Sequence, residues 1–124
     1  MAKLGYGTVG SNNLEESKGF YDALLATIGM VGVFEHPSGG RVYGTKGTLG
    51  FGVLGPYNGE PATVGNGSMW AFAFPTREEV DAFYAKALEL GATCEGPPGE
   101  RGPKMYFSYF RDLDGNKLCG YSIG

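Results

Sequence analysis

The sequence predicts an α+β fold made of two copies of one βαβββ unit. Three observations carry the prediction. Two stretches, residues 14–28 and 80–88, place apolar side chains at helical spacing. Each is closed by a glycine, and Gly29 and Gly91 mark a repeat of 62 residues. Each is preceded by one short strand-like run and followed by several more, separated by Gly and Pro. One such unit leaves a sheet face uncovered, so two units are expected to pair.

The elements follow in order. Residues 5–11 form a short first strand. Asn12 or Asn13 can cap the first helix, and Glu16 three residues after Asn13 resembles a capping box. Leu14, Phe20, Tyr21, Leu24, Leu25 and Ile28 make its apolar face, and Gly29 stops it in the left-handed conformation. Residues 30–36, 40–46 and 48–54 are three strands, broken by Pro37-Ser38-Gly39 and by Lys46-Gly47. Residues 56–67 link the modules, so that module one is 1–55 and module two is 68–124 of a single domain. The second module opens with a strand over 68–74. Thr76 with Glu79 is a capping box for a helix whose stripe is Val80, Phe83, Tyr84, Ala87 and Leu88. A strand over 92–96 precedes a Pro/Gly-rich loop over 96–103. A final hairpin pairs residues 105–110 with 117–122 around Asp114-Gly115-Asn116, where Gly and Asn accept positive φ.

Alternation assigns the sheet faces. Trp70, Phe72 and Phe74 pack under the second helix, as Leu49, Phe51 and Val53 pack under the first. Tyr6, Thr8 and Gly10, with Gly50 and Gly52, then face the other way. So do Met69, Ala71 and Ala73, and Lys117, Cys119 and Tyr121. A floor of Gly and Ala rimmed by larger residues leaves room for a ligand in a cleft.

Composition limits the function classes. The 124 residues are 42% hydrophobic, enough for a core. The net charge is −3 and no Lys/Arg cluster occurs, which argues against a nucleic-acid partner. No run approaches the length of a membrane span, and the start carries no apolar signal region. Cys94 and Cys119 are expected as reduced thiols in the cytoplasm.

Four pieces occur in a fixed order: Asn13-Leu14-Glu15-Glu16-Ser17 with Phe20-Tyr21 and Gly29, Trp70-Ala71-Phe72-Ala73 with Val80-Asp81-Ala82-Phe83-Tyr84, Pro98-Gly99-Glu100-Arg101, and Asp112-Leu113-Asp114-Gly115-Asn116. Together they resemble the vicinal oxygen chelate superfamily of glyoxalase I, bleomycin-resistance proteins and extradiol dioxygenases. The resemblance implies paired modules around a U-shaped cleft, a curved mixed sheet with a helix outside each module, and commonly a homodimer. It also implies a divalent metal held by His and Glu. The corresponding positions here are Tyr6, Met69 and Cys119, with the fourth near Gly50 or Gly52. Neutral phenol and thioether are poor ligands for these ions, so no metal and no other cofactor is expected.

Cys119 is a nucleophile only if its pKa is depressed, and otherwise a small apolar filler. His36, in Glu35-His36-Pro37, reads as a surface residue before a turn. Tyr6 and Met69 are the better ligand contacts, with Thr8 beside Tyr6. Arg41 and Arg101 are the side chains suited to a carboxylate or phosphate. The resulting expectation is a metal-free protein that binds a small, partly apolar organic molecule through Tyr6, Thr8, Arg41, Met69, Arg101 and Cys119. The alternative is a lyase, isomerase or dioxygenase-like enzyme of the same superfamily, metal-independent or with other ligands. A third reading is a subunit whose sheets serve assembly.

Overall fold

The computed structural model describes residues 1–124. It contains β1 (Gly7–Gly10), α1 (Leu14–Ala26), β2 (Val31–Glu35), β3 (Arg41–Thr45), β4 (Thr48–Leu54), β5 (Trp70–Ala73), α2 (Arg77–Glu89), β6 (Thr93–Glu100), β7 (Met105–Arg111) and β8 (Lys117–Ile123). The chain divides into two units, Met1–Val64 and Gly65–Gly124. Each unit holds one helix and one four-stranded mixed sheet, giving the α+β architecture of two βαβββ modules. The strand orders are β1-β4-β3-β2 and β5-β8-β7-β6. In each, the opening strand lies parallel to the closing one and the other pairs are antiparallel. The 62-residue repeat is therefore also a repeat of topology.

Local signals set the helix ends. The Asn13 side chain accepts from the Glu16 N–H at 3.2 Å, and Thr76 Oγ1 accepts from the Glu79 N–H at 3.2 Å. Gly29 and Gly91 close the helices with φ of 80° and 108°.

In the first unit Phe20, Tyr21, Leu24 and Leu25 of α1 are buried together with Tyr43, Phe51 and Val53 of the sheet. The Tyr21 ring lies 5.0 Å from those of Phe20 and Phe51. In the second unit Phe83 is the hub, with ring centroids 5.3, 5.0 and 5.7 Å from Phe72, Phe74 and Phe110. Each such burial contributes about 1.5–3 kcal/mol.

Two expectations are corrected. Leu49 does not share the helix-covered face with Phe51. The register slips from Tyr43↔Phe51 to Gly44↔Leu49, so one extra residue reverses the alternation and leaves Leu49 42% exposed on the other face. Gly44 permits the slip, because a Cβ there would collide with the Thr48 carbonyl oxygen. The second correction concerns 96–103. β6 continues through Pro97 and Pro98 to Glu100, with register shifts between Cys94 and Gly96 and between Gly96 and Gly99. It is an edge strand, so its prolines need not donate outward, and the bulges absorb the missing N–H groups.

Candidate functional site

On the first sheet, the face opposite α1 carries a group of exposed apolar side chains. Tyr6 (51% exposed), Val33, Phe34 (52%) and Leu49 surround buried Val42. They line a cavity of about 420 Å³, together with His36, Thr45, Gly47, Thr48 and Leu54. Register explains the convergence. Thr8 is opposite Gly52, Gly52 is opposite Val42, and Val42 is opposite Phe34. Gly52 keeps the floor low, since a Cβ there would already touch Val42 and Thr8. A second cavity of about 960 Å³ adjoins it, lined by Thr8, His36, Ser38, Leu54 and the loop through Tyr57 and Asn58. Asn12 holds this loop by a reciprocal pair of hydrogen bonds with the Ala62 backbone, at 3.0 and 2.7 Å.

His36 is half-buried and lines both cavities. Its Nδ1 accepts the Ser38 N–H at 3.1 Å and lies 2.9 Å from Ser38 Oγ. Ser38 Oγ in turn accepts the N–H groups of Gly55 at 3.0 Å and Gly40 at 3.4 Å. A backbone N–H can only donate, so Nδ1 is the acceptor, and the neutral ring carries its proton on Nε2.

On the second sheet, the face opposite α2 is aromatic. Phe107 stacks on Tyr121 at 4.9 Å and 12°, and on Tyr109 at 6.2 Å. Arg101 and Lys117 both lie over the Tyr109 ring, at 5.8 and 5.1 Å. Neither is ion-paired to a carboxylate. The Arg101 guanidinium donates to the Pro97 carbonyl at 2.7 Å.

The residues singled out from the sequence fall into three groups. Tyr6 and Thr8 lie side by side on the first sheet, each lining one of the adjoining cavities. Met69 (41% exposed), Arg101 and Cys119 belong to the second unit. Cys119 is buried, between Ala71 and Tyr109 in the register. Arg41 stands apart, on the helix side of the first sheet. Its Nε and Nη2 donate to Glu35 at 2.6 and 3.2 Å, and Nη1 donates to both Asp22 oxygens at 2.9 and 2.7 Å. These bonds raise the Arg41 pKa and lower that of Glu35. Burial, helped by the hydrogen bond from Tyr43 to Asp22, raises the Tyr43 pKa. This network ties β2 and β3 to α1 and uses every edge of the guanidinium.

From sequence, His36 reads as a surface residue and Leu49 as core, and neither they nor Phe34, Tyr109 and Lys117 stand among the expected ligand contacts. Ser38 two residues after His36 is the local signal for a side chain fixed by its own turn. The others depend on register and cross-strand stacking, which leave no local trace.

The family's metal chemistry does not fit these residues. Burial pushes the Cys119 thiol up to about 11, against the lowering effect of the Ser108 backbone and the Lys117 ammonium. A metal held there would have to displace this proton at the cost that the raised pKa sets. Tyr6 offers a phenol and Met69 a thioether, and a glycine near the fourth implied position, Gly50 or Gly52, offers no side chain. Nowhere do three or more His, Cys, Asp or Glu side chains converge.

The comparisons agree with the fold. Residues 3–119 match the family described as Glyoxalase/Bleomycin resistance protein/Dioxygenase superfamily. A glyoxalase/bleomycin resistance protein from Albidiferax ferrireducens is 46% identical, with 98% of each chain covered and a TM-score of 0.86. A lactoylglutathione lyase from Agrobacterium tumefaciens is 17% identical over 98% of this chain and 94% of its own, with a TM-score of 0.73. The genomically encoded fosfomycin resistance protein of Listeria monocytogenes is 16% identical over 100% and 95%, with a TM-score of 0.74. The last two are likenesses of fold. The search of curated proteins produced no match. With the family matched over nearly its whole length, the chain belongs to the glyoxalase/bleomycin resistance protein/dioxygenase superfamily.

Proposed function

We propose that this protein binds a small, partly apolar organic molecule without a divalent metal. The cavity under Tyr6, Phe34 and Leu49 carries the reading. Its volume of about 420 Å³ lies within the roughly 300–1,000 Å³ of small-molecule sites. Its walls are mainly apolar, with a few polar groups from His36, Thr45 and Thr48. The donor set at Tyr6, Met69 and Cys119 supports binding rather than metal-assisted chemistry. On the second unit by itself, Arg101 and Lys117 over Tyr109 offer a separate place for an anionic group. Arg41, engaged by Asp22 and Glu35, serves the fold in this reading. The family likeness favours a homodimer, which light scattering would test.

The experiment is direct. Purified protein is incubated separately with Ni²⁺, Zn²⁺ and Mn²⁺, desalted, and measured by atomic emission. The same protein is titrated with 1-anilinonaphthalene-8-sulfonate. Substoichiometric metal and saturable dye binding that weakens in Phe34→Ala are expected. One tightly held equivalent of metal, or dye binding indifferent to Phe34, would overturn the reading.

A further inference from the structure

We propose that His36 is the polar anchor of the first-module cavity. Its Nε2–H would donate to a carbonyl or carboxylate oxygen of a ligand whose apolar body sits among Tyr6, Phe34, Val42 and Leu49. The inference rests on the binding reading above and adds to it the class of ligand: an apolar or aromatic carbonyl compound.

Three independent features lead to it. The first is position. His36 and Leu54 are the residues shared by the two adjoining cavities, so the imidazole stands at their junction. The second is orientation. Phe34 meets the imidazole edge-on, with centroids 6.3 Å apart and planes at 76°, which fixes one side of the ring beside the apolar wall. The third is the tautomer. Nδ1 is occupied by the Ser38 N–H, and Ser38 Oγ is itself oriented by the Gly40 and Gly55 amides. The ring is thereby held with a donor, and no acceptor, on its remaining nitrogen. That arrangement selects ligands with an oxygen acceptor and disfavours those presenting a donor. Ser38 is a positioning residue in this scheme, acting through the imidazole.

Two probes of nearly equal shape separate the possibilities. Naphthalene has no acceptor, whereas 2-acetylnaphthalene adds one carbonyl. Affinities are measured by titration calorimetry or by probe fluorescence on the full chain. The wild type is expected to bind the ketone about 3- to 10-fold more tightly, the worth of one neutral hydrogen bond. His36→Phe should bind both probes equally, and His36→Gln, which keeps an N–H donor, should retain part of the preference. Phe34→Ala, at an exposed position that the fold does not depend on, should weaken both probes alike. Equal affinities in the wild type, or a ketone preference that survives in His36→Phe, would overturn the His36 assignment and leave the binding reading standing. Failure of the wild type to bind either probe would overturn both.

Discussion

Replacing Asp112 with Ala should undo the turn of the last hairpin and destabilise the protein. The carboxylate is 5% exposed and organises the turn between β7 and β8. Oδ1 accepts the N–H groups of Asp114 and Asn116, both at 2.9 Å, and Oδ2 accepts from Asn116 Nδ2 at 3.0 Å. The Asp112 N–H donates to the Asn116 carbonyl at 2.9 Å. A hydrogen bond to a charged group contributes about 1.5–3 kcal/mol, so the three bonds sum to roughly 5–9 kcal/mol gross. Water reaches the half-buried Asp114 amide once the carboxylate is gone, which returns part of that sum. The net cost is then about 3 kcal/mol. Unfolding entropy near 2.1 cal/mol/K per residue over 124 residues gives about 0.26 kcal/mol/K, so the melting temperature should fall by about 12 °C. Asp112→Asn keeps an oxygen for both amides, but as a neutral acceptor, and turns a donor toward Asn116 Nδ2. It should cost about 2 kcal/mol, or about 8 °C. Scanning calorimetry reads both. A melting temperature for Asp112→Ala within about 3 °C of wild type would refute the reasoning. So would an Asp112→Asn variant that melts as low as Asp112→Ala.

Other outcomes follow from the same structure. Exposed Cys94 should react with Ellman's reagent in the native protein at pH 8, and buried Cys119 only after denaturation; two native thiols would contradict the burial. Because the folded Cys119 thiol lies at about 11, above its ordinary 9.0, its contribution to stability is complete below pH 9 and is lost as pH rises through 11. Denaturant melts should therefore show wild type losing stability relative to Cys119→Ala across that window, with a limiting slope of about 1.4 kcal/mol per pH unit. Gly44→Ala should cost at least about 2 kcal/mol in urea unfolding, because its Cβ meets the Thr48 carbonyl rather than a movable side chain. Tyr43→Phe removes a 2.7 Å bond to partly exposed Asp22 and should cost about 1–2 kcal/mol by the same measurement.

The sequence by itself determined the repeat, the helix limits and the terminal turn. Each is written in neighbouring residues: Asn13 to Glu16, Thr76 to Glu79, Gly29, Gly91, and Asp112 to Asn116. These are short-range hydrogen bonds and backbone preferences, complete within a few residues. The resemblance read from the sequence implied metal-donor positions at Tyr6, Met69 and Cys119. Tertiary structure alone decided what surrounds them. A slip of one residue opposite Gly44 turned Leu49 from core into cavity wall. Asp22 on α1 and Glu35 on β2 took up the guanidinium of Arg41. The edge position of β6 allowed a strand through Pro97-Pro98. Packing brought His36, read from sequence as a surface residue, to the junction of two cavities. These features depend on register and on partners far along the chain. Their energies exist only once the strands have met, so no local pattern records them.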